Sequence, residues 1–224
     1  MRIDVVSDVV CPWCFIGKRQ LEAALADWAA RHPDQPSPQV IWHPFQLNPG
    51  MPPEGASRAE YLTAKFGTAD TSRLYANVRA AAAEVALPLA LDRIARQPST
   101  LRPHALLAAA LQAGGPELQS RMAEVLFTAY FQEGRDLSDA AELARLGMAA
   151  GLTEPQVAAA LADPALADEV ARVDAGMRDA GIGGVPFFVV NGRVAVNGAQ
   201  GAEAIGRALT RAATLEPAPF ALAG

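Results

Sequence analysis

The sequence predicts an α/β fold split by a long, all-helical insertion, and three observations carry that reading. Short runs rich in Val and Ile appear near the two ends of the 224 residues, and the middle is alanine-rich with helical spacing. The two cysteines, Cys11 and Cys14, fall where strand-like composition gives way to helical spacing.

The elements follow in order. Ile3 to Val10 is largely apolar, which suits a strand buried on both faces of a sheet. From Phe15 onward, Ile16, Leu21, Leu25 and Trp28 keep helical spacing until His32-Pro33. PDQPSPQ is a turn or loop, and Val40 to Leu47 reads as a second strand closed by Asn48-Pro49-Gly50. Pro44 inside that strand points to an edge position or a bulge, because it has no N–H for a ladder. Ser57 to about Ala180 is helical throughout, punctuated by Pro88, Pro98, Gly114-Gly115-Pro116, Gly134, Gly151 and Pro164. Ser57 with Glu60 and Thr153 with Gln156 both match a capping box. Strand signals return in PFFVVNGRVAVNG, where Asn191-Gly192 marks a hairpin turn, and a last helix runs from about Gln200 to Ala213. Residues 1–50 and 181–224 thus form one discontinuous α/β unit around an insertion of residues 51–180. The last helix of that insertion, about 165–180, is expected to pack back on the sheet.

Composition narrows the function classes. A chain of this length buries a core without disulfide staples, so neither cysteine has to be structural. No run approaches the ~18 apolar residues of a membrane span, and the N-terminal MRIDVVSD lacks the pattern of an export signal. The expectation is a soluble cytoplasmic protein that does not partner a membrane. The formal net charge of −5 argues against nucleic acid as a partner. In a reducing compartment a CxxC pair points to catalysis, redox sensing or metal binding.

Cys11-Pro12-Trp13-Cys14 supports redox chemistry best. Positions i and i+3 of a helix share a face, with Cβ atoms about 5–6 Å apart, so the two sulfurs can join and separate with little backbone movement. Cys11 sits at or just before the first helical turn, where free N–H groups and the helix dipole favour a thiolate, the nucleophilic form. Cys14, one turn further in and followed by Phe15-Ile16, is shielded and suited to resolving a mixed disulfide. Pro12 is tolerated at a first helical position, and Trp13 forms part of the rim around the sulfur. The competing readings are weaker. A zinc site needs about four ligands, against two cysteines and the scattered His32, His43 and His104. Two inert buried cysteines, or a soft-metal carrier, do not account for the placement at a strand-to-helix junction. No metal site is expected. A second constellation is Gly183-Gly184-Val185-Pro186-Phe187-Phe188, where the glycines permit close backbone approach and Pro186 starts a strand.

CPWC after a first strand, a helical insertion, and Gly-Val-Pro-Phe-Phe before a terminal hairpin and helix resemble the DsbA-like branch of the thioredoxin superfamily. SDVVCPWCFIGKRQLE, HPFQLNP, LFTAYFQEGRDLSD and GVPFFVVNGRVAVNGAQ are similar to its cytosolic FrnE-type members. The resemblance implies a thioredoxin-like fold and a thiol–disulfide oxidoreductase with Cys11 as nucleophile and Cys14 as resolving residue. It also implies a cis Val185–Pro186 bond packed on the cysteine pair, so that Pro12, Trp13, Val185 and Pro186 contact substrate. Partners are then protein or small-molecule thiols and disulfides, with no bound cofactor and with glutathione as a candidate redox partner. Two departures stand out. Trp13 occupies a position where exported members carry histidine. The kappa-class glutathione transferases and 2-hydroxychromene-2-carboxylate isomerases share the fold but place serine at the position of Cys11, which makes a glutathione-dependent transferase or isomerase the alternative. His104 matches a histidine recurrent in the branch and is read as a helix-surface or inter-helix residue outside the catalytic set.

Overall fold

A computed structural model describes residues 1–220. The first strand is β1 (Arg2–Ser7), followed by α1 (Pro12–Arg31) and β2 (Gln39–Pro44). After the long insertion come β5 (Phe187–Val190), β6 (Val194–Asn197) and α9 (Ala202–Ala212). These strands form one sheet in the order β2-β1-β5-β6, with β1–β2 parallel and the other two pairings antiparallel. β1 is therefore central. Its residues from Ile3 to Ser7 are all buried, which is why it reads as a largely apolar run, the buried Asp4 being paired with Arg2 and His43.

Local chemistry explains each boundary. β1 stops at Ser7 rather than Val10, because the chain turns there and the Cys11 N–H donates to the Asp8 carbonyl at 3.0 Å. β2 stops at Pro44 rather than Leu47: the Phe45 N–H still donates to the Ser7 carbonyl at 3.0 Å, but two carboxylates take the donors after it. The Gln46 N–H donates to Asp174 Oδ1 at 2.9 Å and the Leu47 N–H to Asp8 Oδ2 at 2.7 Å. Pro44 ends an edge strand, where its missing donor does no harm. At the hairpin, Asn191 (φ 50°) and Gly192 (φ 65°) lie in the left-handed region and Arg193 N–H donates to the Val190 carbonyl at 3.0 Å.

The insertion is not wholly helical. Its helices are α2 (Arg58–Phe66), α3 (Thr71–Leu74), α4 (Ala76–Glu84), α5 (Leu101–Phe131), α6 (Ala140–Ala150), α7 (Glu154–Ala162) and α8 (Pro164–Asp179). β3 (Ala56–Ser57), just before α2, and β4 (Arg96–Gln97), between α4 and α5, pair as a short antiparallel ladder. The expected capping box at Ser57 does not form. Ser57 precedes α2 with its side chain making no cap hydrogen bond, its backbone already held extended in β3. The box at Thr153 and Gln156 does form. α5 is broken at Gly114 and Gly115, whose backbone is non-helical just ahead of Pro116.

The insertion is tied to the sheet unit through α5. Phe15 of α1 stacks on Phe127 at 5.1 Å between ring centroids, and Phe131 stacks beside both. Such pairs contribute about 0.5–1.5 kcal/mol each beyond their burial. Lys18 and Arg19 of α1 both pair with Glu124 of α5, and the Arg19 guanidinium lies 4.9 Å over the Phe15 ring. Lys18 is only 6% exposed, so this cation sits inside the seam between α1 and α5. α8 lies against β2, with Arg178 stacked 4.1 Å from the Phe45 ring and Met177 packed on Val6 and Phe45. α9 packs on α1 and on β6.

Candidate active site

Cys11 is the residue immediately before α1, with extended backbone and Pro12 behind it at the first helical position. Its carbonyl accepts the Cys14 N–H at 3.0 Å, so the tight first turn places the second cysteine over the first. The two residues approach to 3.5 Å, and both thiols are free. Cys11 Sγ donates to the Val185 carbonyl at 3.6 Å. That carbonyl belongs to a cis Val185–Pro186 peptide, so the two motifs read from opposite ends of the chain meet at one sulfur.

A pocket of about 370 Å³ opens beside this point. Cys11, Pro12, Trp13 and Val185 form one wall; Arg58, Tyr61 and Tyr75 from the insertion form the other. Pro186 does not line the pocket but packs beneath it against α1. Cys14 is set behind, at 1% exposure. Burial, and then the neighbouring Cys11 sulfur, push the Cys14 thiol well above its ordinary value; the Ser7 hydroxyl and the Asp8 N–H at the sulfur oppose this without cancelling it. Cys14 therefore holds its proton at neutral pH.

A pH dependence follows. The unfolded chain releases the Cys14 proton near the ordinary thiol value of about 8.5, whereas the folded chain keeps it to higher pH. The contribution is full below about pH 8.5 and is lost as pH rises toward the folded value, with a slope of up to about 1.4 kcal/mol per unit. Urea unfolding of the reduced protein between about pH 7.5 and 9.5 is expected to reveal this loss, and Cys14→Ser to lack it. Parallel pH profiles for the two proteins would show that Cys14 is not the group responsible.

Sequence reasoning missed Gly17, one turn beyond Cys14. A Cβ there would lie 2.9 Å from Pro186 Cγ and 3.1 Å from Phe188 Cζ, so the missing side chain lets α1 settle on the proline ring below the cysteines. A glycine among strong helix formers was the available signal. Gly17→Ala gains about 0.5–1 kcal/mol of helix propensity. Overpacking costs about 1–3 kcal/mol. The expected net is destabilisation by about 1 kcal/mol, read from the urea midpoint; a stabilised variant would mean the ring simply moves aside.

Asp8 was missed as well, and His104 is buried rather than on a helix surface. His104 of α5 lines a cleft with Val170 and Val173 of α8. Its Nε2 faces Asp8 Oδ1 at 3.4 Å, both side chains are almost fully buried, and neither atom has a hydrogen-bond partner. The second Asp8 oxygen and its carbonyl hold Leu47 and Cys11, so this carboxylate shapes the loop that carries the nucleophile candidate.

The comparisons with known proteins agree with this architecture. The family model described as a DSBA-like thioredoxin domain matches residues 2–210. A probable DsbA oxidoreductase from Streptomyces coelicolor is 33% identical, with a TM-score of 0.83 over 98% of this chain and 92% of that one. The fold is also similar to a 2-hydroxychromene-2-carboxylate isomerase, at 14% identity and TM-score 0.70 over 94% and 95% of the two chains. It is similar again to the cytosolic disulfide reductase DsbM of Pseudomonas aeruginosa, solved with GSH, at 21% identity and TM-score 0.64 over 96% and 100%.

Proposed function

This chain belongs to the DSBA-like thioredoxin domain family, and from that premise we propose that it is a thiol–disulfide oxidoreductase working through Cys11 and Cys14. The observation that carries the reading is the arrangement of the two sulfurs. One lines a pocket at a helix start, and the other is held close behind it, buried and protonated.

Cys11 is the nucleophile in the reducing direction. Its thiolate attacks a substrate disulfide, one substrate thiol departs, and Cys14 loses its proton and displaces the second thiol, leaving Cys11 and Cys14 joined. In the oxidising direction a substrate thiolate attacks Cys11 Sγ, Cys14 is freed, and a second substrate thiol completes the exchange. Pro12 and Trp13 contact the substrate beside the sulfur, and the Val185 backbone receives an extended segment as an added strand, with Pro186 fixing its position. Residues 1–50 and 181–224 form the thioredoxin-like unit that carries this chemistry. The insertion of residues 51–180 walls the groove, and its last helix, about 165–180, braces the sheet.

No bound organic cofactor enters the cycle, and glutathione serves as redox partner. We place the reaction in the cytoplasm, on the economy of two cysteines both committed to one CxxC. The FrnE-type members offer the functional analogy. The alternative, a glutathione-dependent transferase or isomerase, shares the fold, but it relies on a serine where this chain has Cys11. Disulfide-reductase and glutathione-transfer assays on wild type and Cys11→Ser separate the two.

A further inference from the structure

The pocket beside Cys11 has a charge that its surroundings do not explain. The chain carries 24 Asp and Glu against 19 Lys and Arg, yet among the described residues no carboxylate lines this pocket, while Arg58 and Lys65 both do. Arg58 is 7% exposed, and among the described residues no carboxylate pairs with it. Its guanidinium donates instead to Gln97 Oε1 and to the Tyr75 and Tyr130 hydroxyls. Burial holds both phenols above their ordinary value, so neither supplies a counter-charge. Lys65 Nζ donates to Asn48 Oδ1 and the Tyr61 hydroxyl at 3.1 and 2.8 Å, again neutral groups.

The Tyr61 and Tyr75 rings face this guanidinium at 5.6 and 5.8 Å, but they bring no net negative charge. A neutral donor could meet Gln97 and the two hydroxyls, whereas a buried guanidinium without an anion carries a desolvation cost. A carboxylate arriving from solvent would supply the missing partner, and a guanidinium suits it through paired N–H donors.

We propose that Arg58, assisted by Lys65 at the pocket mouth, binds a carboxylate of the substrate, so that the preferred substrates are low-molecular-weight disulfides bearing a carboxylate near the sulfur. The inference rests on the thiol–disulfide reading above. The volume of about 370 Å³ is that of a small-molecule site. The reaction balances as one disulfide plus two protein thiols giving two substrate thiols and the Cys11–Cys14 disulfide, with two electrons passing to substrate; two molecules of glutathione, leaving as glutathione disulfide, restore the protein dithiol between turnovers.

The test is single-turnover oxidation of the reduced protein by 3,3′-dithiodipropionate, a dicarboxylate, and by neutral bis(2-hydroxyethyl) disulfide. Free 2-mercaptoethanol reports their intrinsic reactivities. The charged-to-neutral rate ratio for the protein is expected to exceed that of the free thiol at least tenfold, and to fall at least tenfold in Arg58→Gln. Glutarate, which has no sulfur, is expected to inhibit the wild type with the charged disulfide competitively, and this arm stands if Arg58→Gln fails to fold. A ratio equal to that of the free thiol, an unchanged ratio in a folded Arg58→Gln, or indifference to glutarate would each overturn the anion site while leaving the redox reading intact. Failure of the wild type to react with either disulfide would overturn the redox reading, and this inference with it.

Discussion

Replacing Cys11 by serine is expected to abolish disulfide reduction, with a loss on the order of 10³-fold or more, the scale seen when an enzyme loses its covalent nucleophile. A serine hydroxyl is not ionised at neutral pH and does not exchange with disulfides. The substitution removes the sulfur that meets both the pocket and the Val185 carbonyl while changing little else, since Cys11 ends the loop through its backbone. The same variant discriminates between reaction classes. A transferase or isomerase using serine to activate glutathione should tolerate it, so glutathione-dependent turnover of an electrophile or a chromene-like substrate would persist or rise. Reductase activity lost, with no glutathione transfer in either protein, is the expected pattern. Turnover that survives in Cys11→Ser would overturn the assignment and leave Cys14 a packing residue.

The Cys14→Ser variant should fail at the opposite step. Cys11 remains able to attack, but the thiol held behind it is gone, so the mixed disulfide waits for an external thiol. Steady-state turnover is expected to fall by on the order of 100-fold, because an intramolecular resolving group acts at a high effective concentration. Nonreducing electrophoresis and intact mass after incubation with a disulfide should find one substrate half attached, mapped by peptide digestion to residue 11. An adduct in Cys11→Ser at Cys14, with none in Cys14→Ser, would reverse the two roles.

Much of this chemistry is legible in the order of the residues, for a local reason. The change from strand to helix around the cysteines, Pro12 at a helix start, the Asn191-Gly192 turn and the Thr153–Gln156 box each depend on residues within a few positions of one another. The matching of Cys11 with Val185–Pro186, 174 residues away, comes through resemblance to a family rather than from the residues. Where even local rules fail, a distant partner intervenes. Ser57 does not cap α2, because Ala56 and Ser57 pair with Gln97 and Arg96. The second strand is cut short by Asp8 and Asp174 taking its donors.

The sequence by itself thus determined the candidate reactive element of this protein: two thiols one turn apart at a helix start, within an α/β unit interrupted by helices. Backbone geometry and side-chain sterics over four residues suffice for that. The tertiary structure alone decided what surrounds those thiols. Burial across the whole chain set Cys14 behind Cys11, brought His104 against Asp8, pressed the Pro186 ring onto Gly17 and placed Arg58 in the pocket without a carboxylate. Apart from the apolar Phe15-Ile16 after Cys14 and the glycine at position 17, these placements have no local signature. Each arises because apolar faces far apart in sequence pack together to leave water, and the polar groups carried with them must find whatever partners the packing provides.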